Sequence, residues 1–176
     1  NPIESIDENI IDFQRSNDNL YLLTSKAVYL LSNELFISII KSDYDFSNFK
    51  GIATYDNNIF LYSDTSIFQV VNNEIRMLYL DNNLKINTVI ADTNFLWAGT
   101  NYGFGNYANG IFKNFLENQP LINNSDIIEL YNNKLIMANR KGISIEGWEN
   151  FTNTLPPKLL PNNFQTTVLD YDFGNK

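Results

Sequence analysis

The chain has 176 residues, about one domain's length, with 44% hydrophobic and 14% aromatic residues, enough for a substantial core. A net charge of -8 argues against a nucleic-acid partner, whose phosphates need a basic face, and the apolar content excludes a disordered acidic tail. Cysteine and histidine are both absent, which removes disulfides, Ser-His-Asp and Cys-His nucleophile systems, and every zinc site except an all-carboxylate one.

The opening residues, "NPIESIDENI", have neither a basic segment nor an apolar leader core, so they read as a mature protein or a cut segment of one. No apolar run reaches the ~18 residues of a membrane span. The first predicted strands follow as "IIDFQ" (10–14), "LYLLT" (20–24), "AVYLL" (27–31) and "LFISII" (35–40), separated by turn residues. After the link "KSDYDFSN" (41–48), a second unit contains "NIFLYSDTSIFQVV" (58–71). The third reads "INTVIA" (86–91), "FLWAGT" (95–100), "GFGNY" (103–107) and "GIFKNF" (110–115). The fourth contains "KLIMANRKGISIEG" (134–147), and a Pro-rich link then leads to an isolated predicted strand at 166–173. No segment carries a sustained 3.6-residue period with caps, so almost no helix is expected.

These units are copies of one repeat. Leu20, Ile59, Leu96 and Leu135 stand 39, 37 and 39 residues apart, and Val28, Ile67, Phe104 and Ile143 keep the same separations. A turn column is expected at Asn33, Asn73, Asn109 and Gly147. Asparagine makes up about a sixth of the chain, much of it in pairs such as Asn57-Asn58, Asn72-Asn73 and Asn82-Asn83. Its tolerance of the left-handed conformation marks those pairs as chain reversals. About 38 residues per four-stranded unit is the period of a β-propeller blade.

The chain is therefore read as all-β: about four four-stranded antiparallel propeller blades at 10–40, 49–79, 86–116 and 127–153, in a single domain spanning 1–176. The strand at 166–173 either completes the first blade of a small ring or begins a further blade of a larger propeller. The larger propeller is the preferred reading.

A blade between two others packs both faces, so Trp97 and its column mates Tyr21, Phe60 and Ile136 are expected between blades. The column of Thr100 holds Thr24, Ser63 and Asn139, small polar groups suited to ending a strand. Gly99 and Gly103 suit close packing and a turn, since no P-loop lysine accompanies them.

Carboxylates are the candidates for catalytic or metal chemistry. Asp43/Asp45 and Asp170/Asp172 start like a calcium loop, but Thr54 stands where the first would need its final acid. Asp12, Asp56, Asp92, Glu129, Asp170 and Asp172 lie on or just past first strands, which would line a propeller channel. Asp56 and Asp92 read as Asx-turn residues. No catalytic residue, metal or cofactor is expected.

A partner is expected on the rim formed by the turns between strands two and three and by the inter-blade links. Tyr44, Phe46, Tyr102, Arg140 and Lys141 are the candidate contacts there, and Arg140-Lys141 could receive an anionic glycan or a lipopolysaccharide phosphate. Open propeller edges also offer a route to a homodimer.

The third unit resembles the two-component-regulator propeller repeat of Bacteroidetes. Ile90, Asp92, Leu96, Trp97, Gly99, Thr100, Gly103, Phe104, Phe112 and Phe115 stand at that motif's positions. The resemblance implies an extracytoplasmic, non-catalytic binding platform. Degenerate Leu-Trp-x-Gly-Thr copies in the other units, and the passage from Gly142 to Lys176, favour a PorZ-like component of type IX secretion. The alternative is the periplasmic sensor propeller of a hybrid histidine kinase, and a propeller glycoside hydrolase or lyase is a third reading.

Overall fold

Each repeat folds into one antiparallel sheet whose strands meet in chain order. The structure is a computed structural model and describes residues 2–3, 5–41, 45–101, 103–114, 126–131, 134–139, 142–147 and 150–153. The first sheet contains β1 (Pro2–Ile3), β2 (Ile10–Ser16), β3 (Asn19–Thr24), β4 (Ala27–Ser32) and β5 (Leu35–Lys41). The second comprises β6 (Gly51–Tyr55), β7 (Asn58–Tyr62), β8 (Ser66–Val71) and β9 (Glu74–Leu80). The third holds β10 (Ile86–Ala91), β11 (Leu96–Thr100), β12 (Gly103–Ala108) and β13 (Ile111–Asn114). The fourth holds β14 (Ile127–Tyr131), β15 (Lys134–Asn139), β16 (Gly142–Gly147) and β17 (Asn150–Asn153). A 3-10 turn at Phe46–Asn48 is the one helical element among the described residues.

Strand pairing confirms the repeat to the residue. Leu20, Ile59, Leu96 and Leu135 face Arg15, Thr54, Ala91 and Leu130 on the preceding strand. Val28, Ile67, Phe104 and Ile143 face Leu23, Tyr62, Gly99 and Ala138. The strand at 166–173 lies outside the described residues. The first sheet has its own four strands, and its outer edge carries β1, paired Pro2↔Ile37 and Ile3↔Phe36. A two-residue strand has no periodicity to read, which is why β1 was not foreseen.

The turn column needs one correction. Register places Asn33, Asn72 and Asn109 in equivalent positions, each just past the strand pairs Ser32↔Leu35, Val71↔Glu74 and Ala108↔Ile111. Asn72 and Asn73 are both left-handed, at φ 51° and 66°, so either could pass for the column residue in sequence. Gly147 is not in the turn; it is still within β16, paired with Asn150.

Sheets stack in chain order through their first strands, β2 on β6, β6 on β10 and β10 on β14. Because strand residues alternate, each sheet has a leading face toward its predecessor and a trailing face toward its successor. Tyr21, Leu23 and Val28 on the trailing face of sheet one meet Ile52, Ile59 and Leu61 on the leading face of sheet two. Tyr62 and Ile67 meet Val89, Leu96 and Ala98 across the next junction. Trp97 and Phe104 meet Ile128 across the last. Trp97 is thus inter-sheet core, 5% exposed, as its column implies.

Polar columns explain the hairpins between second and third strands. Thr24 Oγ1 donates to Ala27 O and accepts from Ala27 N, both at 3.1 Å. Thr100 Oγ1 donates to Gly103 O at 3.1 Å, and Ser63 Oγ accepts from Ser66 N at 3.2 Å. A short hydroxyl at this column closes the tight turn that a longer side chain would leave unbonded.

Gly105 on β12 is a close-approach position. A Cβ there would lie 2.5 Å from the Phe112 ring and 2.7 Å from Lys113 O. Phe112 is stacked on Tyr79 of the second sheet at 4.7 Å between centroids, so it has little room to yield. Gly105→Ala is expected to destabilise the chain by roughly 1–3 kcal/mol in chemical denaturation; unchanged stability would show that Phe112 is not held by that stack.

Candidate functional site

The described cavities open mainly on the rim of the first-to-second and third-to-fourth strand turns. The larger, about 450 Å³, lies between sheets two and three. Tyr55, Phe60, Phe95 and Tyr107 give it aromatic walls, and Asn58, Gln69 and Asn94 add amides. The second cavity, about 280 Å³, lies where the four first strands converge, and Gln14, Thr54, Ile90 and Glu129 come one from each sheet. Tyr55 and Asp92 border both, so the groove runs toward the convergence of the first strands.

Local chemistry holds this rim in shape. Asp92 Oδ1 accepts from Asn94 N at 2.7 Å and Phe95 N at 2.8 Å, an Asx-turn. Its Oδ2 accepts from Trp97 Nε1 at 2.8 Å, so the turn and the inter-sheet tryptophan are one unit. Phe95 lies against Trp97 with centroids 5.4 Å apart. Tyr55 of sheet two and Thr93 of sheet three share a hydroxyl hydrogen bond at 2.9 Å across the groove. Thr54 Oγ1, beside the smaller cavity, is buried with no hydrogen-bond partner among the described residues, a state that costs roughly 1–3 kcal/mol unless something else satisfies it.

Asp12, Asp64 and Asp45 have structural partners. Asp12 on β2 accepts from Ile52 N of sheet two at 2.9 Å and from Phe13 N at 2.9 Å. Burial raises its pKa above the ordinary 3.8, outweighing those two amides. Gly51 leaves room for this contact, since a Cβ there would fall 2.6 Å from Asp12 Oδ2. Burial first, and the Asp12 charge second, push Tyr62 up to about 12. Lys50 pairs with Asp64 at 2.9 Å and donates to Ile86 O at 2.8 Å, fastening sheet two to sheet three. Asp56 sits in a left-handed turn at φ 50°. Asp45 caps the 3-10 turn, accepting from Ser47 N at 3.0 Å. The hydroxyl and amide of Ser47 lower the pKa of this exposed carboxyl. Among the described residues, no acidic cluster is arranged to hold a metal ion.

Of the candidate rim contacts, Tyr44, Tyr102, Arg140 and Lys141 lie outside the described residues, as do Asp43, Asp170 and Asp172. Phe46 is described, and it is not an interface residue: it is fully buried. The Asp45 cap turns Phe46 inward, where it packs on Phe49 at 5.7 Å within the core between sheets one and two. Sequence reading missed the groove because its walls come from two repeats, and only their stacking brings Tyr55 and Phe95 together.

No protein-family model matches the sequence, and a search of curated proteins finds no match. Solved structures do match. The extracellular domain of the hybrid two-component system BT4673 from B. thetaiotaomicron is similar over 82% of this chain, with TM-score 0.59 and 17% identity. The match covers 22% of that chain, so this chain spans about a fifth of its length. Virginiamycin B lyase from Staphylococcus aureus matches 91% of this chain and 59% of its own, with TM-score 0.68 and 16% identity. The computationally designed Ika8 protein matches 82% of this chain and 47% of its own, with TM-score 0.60 and 10% identity. The fold is a β-propeller arrangement. Likeness at such identities establishes architecture and leaves activity to the site itself.

Two outcomes are expected at this site. Asp92→Asn should destabilise by roughly 1–3 kcal/mol, because an amide cannot accept from Asn94 N, Phe95 N and Trp97 Nε1 together; tryptophan fluorescence during unfolding reports it. Asp12→Ala removes the acceptor of Ile52 N and should lower the melting temperature. Since the folded pKa of Asp12 is raised, its contribution is fully present below 3.8 and is lost as pH rises through the folded value. The stability gap between wild type and Asp12→Ala should therefore widen from pH 7 to pH 3.

Proposed function

We propose that the chain is a non-catalytic, ligand-binding propeller segment of an extracytoplasmic sensory protein, and that it recognises a hydroxyl-rich, neutral glycan in the groove between sheets two and three. The observation that carries this reading is the groove wall itself. Aromatic rings beside amides suit the apolar faces and hydroxyl edges of sugar rings. Asp56 and Asp92 are its charged residues, and no lysine or arginine lies among the described residues lining it, which favours a neutral glycan over an anionic one.

The likeness to an extracellular two-component domain supports a sensory setting, and the propeller repeat carried by Trp97 and its neighbours points the same way. No helix among the described residues is long and apolar enough to cross a membrane. The narrower PorZ-like reading draws no support from the matched structures. The non-catalytic role rests on the carboxylates: Asp12, Asp45, Asp64 and Asp92 are engaged with backbone, Trp97 or Lys50.

Isothermal titration against neutral and uronate-containing oligosaccharides tests the proposal. A neutral oligosaccharide should bind; Tyr55→Ala should weaken it at least ~10-fold, whereas Tyr55→Phe should retain most of the affinity. Binding indifferent to Tyr55→Ala would place the ligand elsewhere. Release of product from a polysaccharide, abolished by Asp92→Asn, would overturn the non-catalytic reading.

A further inference from the structure

A buried polar side chain is ordinarily paired. Thr24 and Thr100 are fully buried, and their hydroxyls close hairpins. Thr54 is buried too, at 9% exposure, yet its Oγ1 has no partner among the described residues. The fold does not ask for a hydroxyl at this position. Thr54 lies opposite Ile59, and the equivalent residues of sheets three and four are Ala91, opposite Leu96, and Leu130, opposite Leu135. Neither carries a side-chain polar atom, and a residue that breaks a packing rule without structural return points to a functional position.

Thr54 lines the smaller cavity. Ile52 packs in the core between sheets one and two and Ala53 in the core between two and three, so alternation along β6 turns Thr54 toward sheet one. Gln14 approaches across that junction. It lies opposite Tyr21, a member of the same core, and two residues on from Asp12, which reaches the backbone of β6.

We infer that the smaller cavity is a second sugar subsite, taking one further ring of a glycan seated in the groove, and that Thr54 Oγ1 exchanges a hydrogen bond with a hydroxyl of that ring. This rests on the neutral-glycan reading of the groove. The two cavities share Tyr55 and Asp92, so a glycan lying along the aromatic wall continues into the second without a break. At about 280 Å³ the second cavity is small for a ligand site and suits a single ring. Ala53, Val89, Ile90 and Leu130 offer apolar wall to the C–H face of a sugar, and Gln14 and Glu129 add polar groups at its edge. No lysine or arginine is among the described residues lining it, in keeping with an uncharged ring. Rotation about χ1 carries the hydroxyl between staggered positions on one Cβ, so a ring hydroxyl at the wall can draw Oγ1 toward it without moving the backbone. The unpaired hydroxyl destabilises the unliganded chain, and pairing it with the sugar recovers that loss on binding.

Isothermal titration with malto-, cello-, xylo- and manno-oligosaccharides of increasing length tests this, alongside thermal unfolding of the unliganded variants. For a series that binds, affinity should rise when the added ring reaches the second cavity. Thr54→Val removes the hydroxyl and nearly keeps the side chain's shape. It should leave the melting temperature unchanged or raise it, and should cut the ratio of long- to short-oligosaccharide affinity ~5-fold. Thr54→Ser keeps a hydroxyl and should retain most of that ratio. A purely structural threonine would give the opposite pair of results, a lower melting temperature with the ratio intact, and that outcome would overturn the inference. So would affinity that does not depend on length. If Tyr55→Ala weakens binding while Thr54→Val leaves the ratio at its wild-type value, the groove reading stands and the second subsite falls. Binding by no member of the panel would remove both readings.

Discussion

Burial of apolar side chains on both faces of each sheet is the constraint from which the remaining structure follows. A four-stranded sheet of this size has too little core of its own, and its stability comes from the sheets on either side. Trailing residues such as Leu23 and Val28, at 0% exposure, and leading residues such as Leu61, also at 0%, exclude water only because the next sheet is present. At about 25 cal/mol per Å² of apolar area, each junction is worth several kcal/mol. The first strands β2, β6, β10 and β14 come side by side as a result, and the rim turns are brought close enough to make grooves.

Polar residues then fix how adjacent sheets meet. Asp12 reaches from β2 to the backbone of β6, Lys50 from the second sheet to Ile86 O, and Tyr55 from the second sheet to Thr93. Asp92 ties a turn to the indole that fills the third junction. Apolar packing sets the order of the sheets, and these directional bonds set their register along the axis. Gly51 and Gly105 serve the same end, since each stands where a methyl group would push a neighbour away.

This division of labour bears on function. Carboxylates on first strands suggested channel chemistry, but in the folded chain Asp12 and Asp92 are occupied in holding sheets and turns together. The surface those bonds hold rigid between sheets two and three consists of aromatic rings, amides and Asp56, with the Asp92 carboxylate engaged in its own turn. A groove built from two sheets rather than one loop is shaped before any ligand arrives, which lowers the ordering cost of binding.

Local pattern alone determined the all-β class, the four repeats, the strand positions and the inter-sheet place of Trp97. Period-two alternation, turn asparagines and equal column spacings are all properties of neighbouring residues. Tertiary structure alone decided whatever depends on two repeats meeting. It turned Phe46 into core, placed the two described inter-sheet cavities on the opposite rim, and gave Asp12 a partner forty residues away. It also separated Phe13 from Ile52, Val89 and Ile128, which share its register position and apolar character. The physical reason is the same in each case: burial and hydrogen-bond partners are set by which sheet stands in front, and that neighbour lies about one repeat away in sequence.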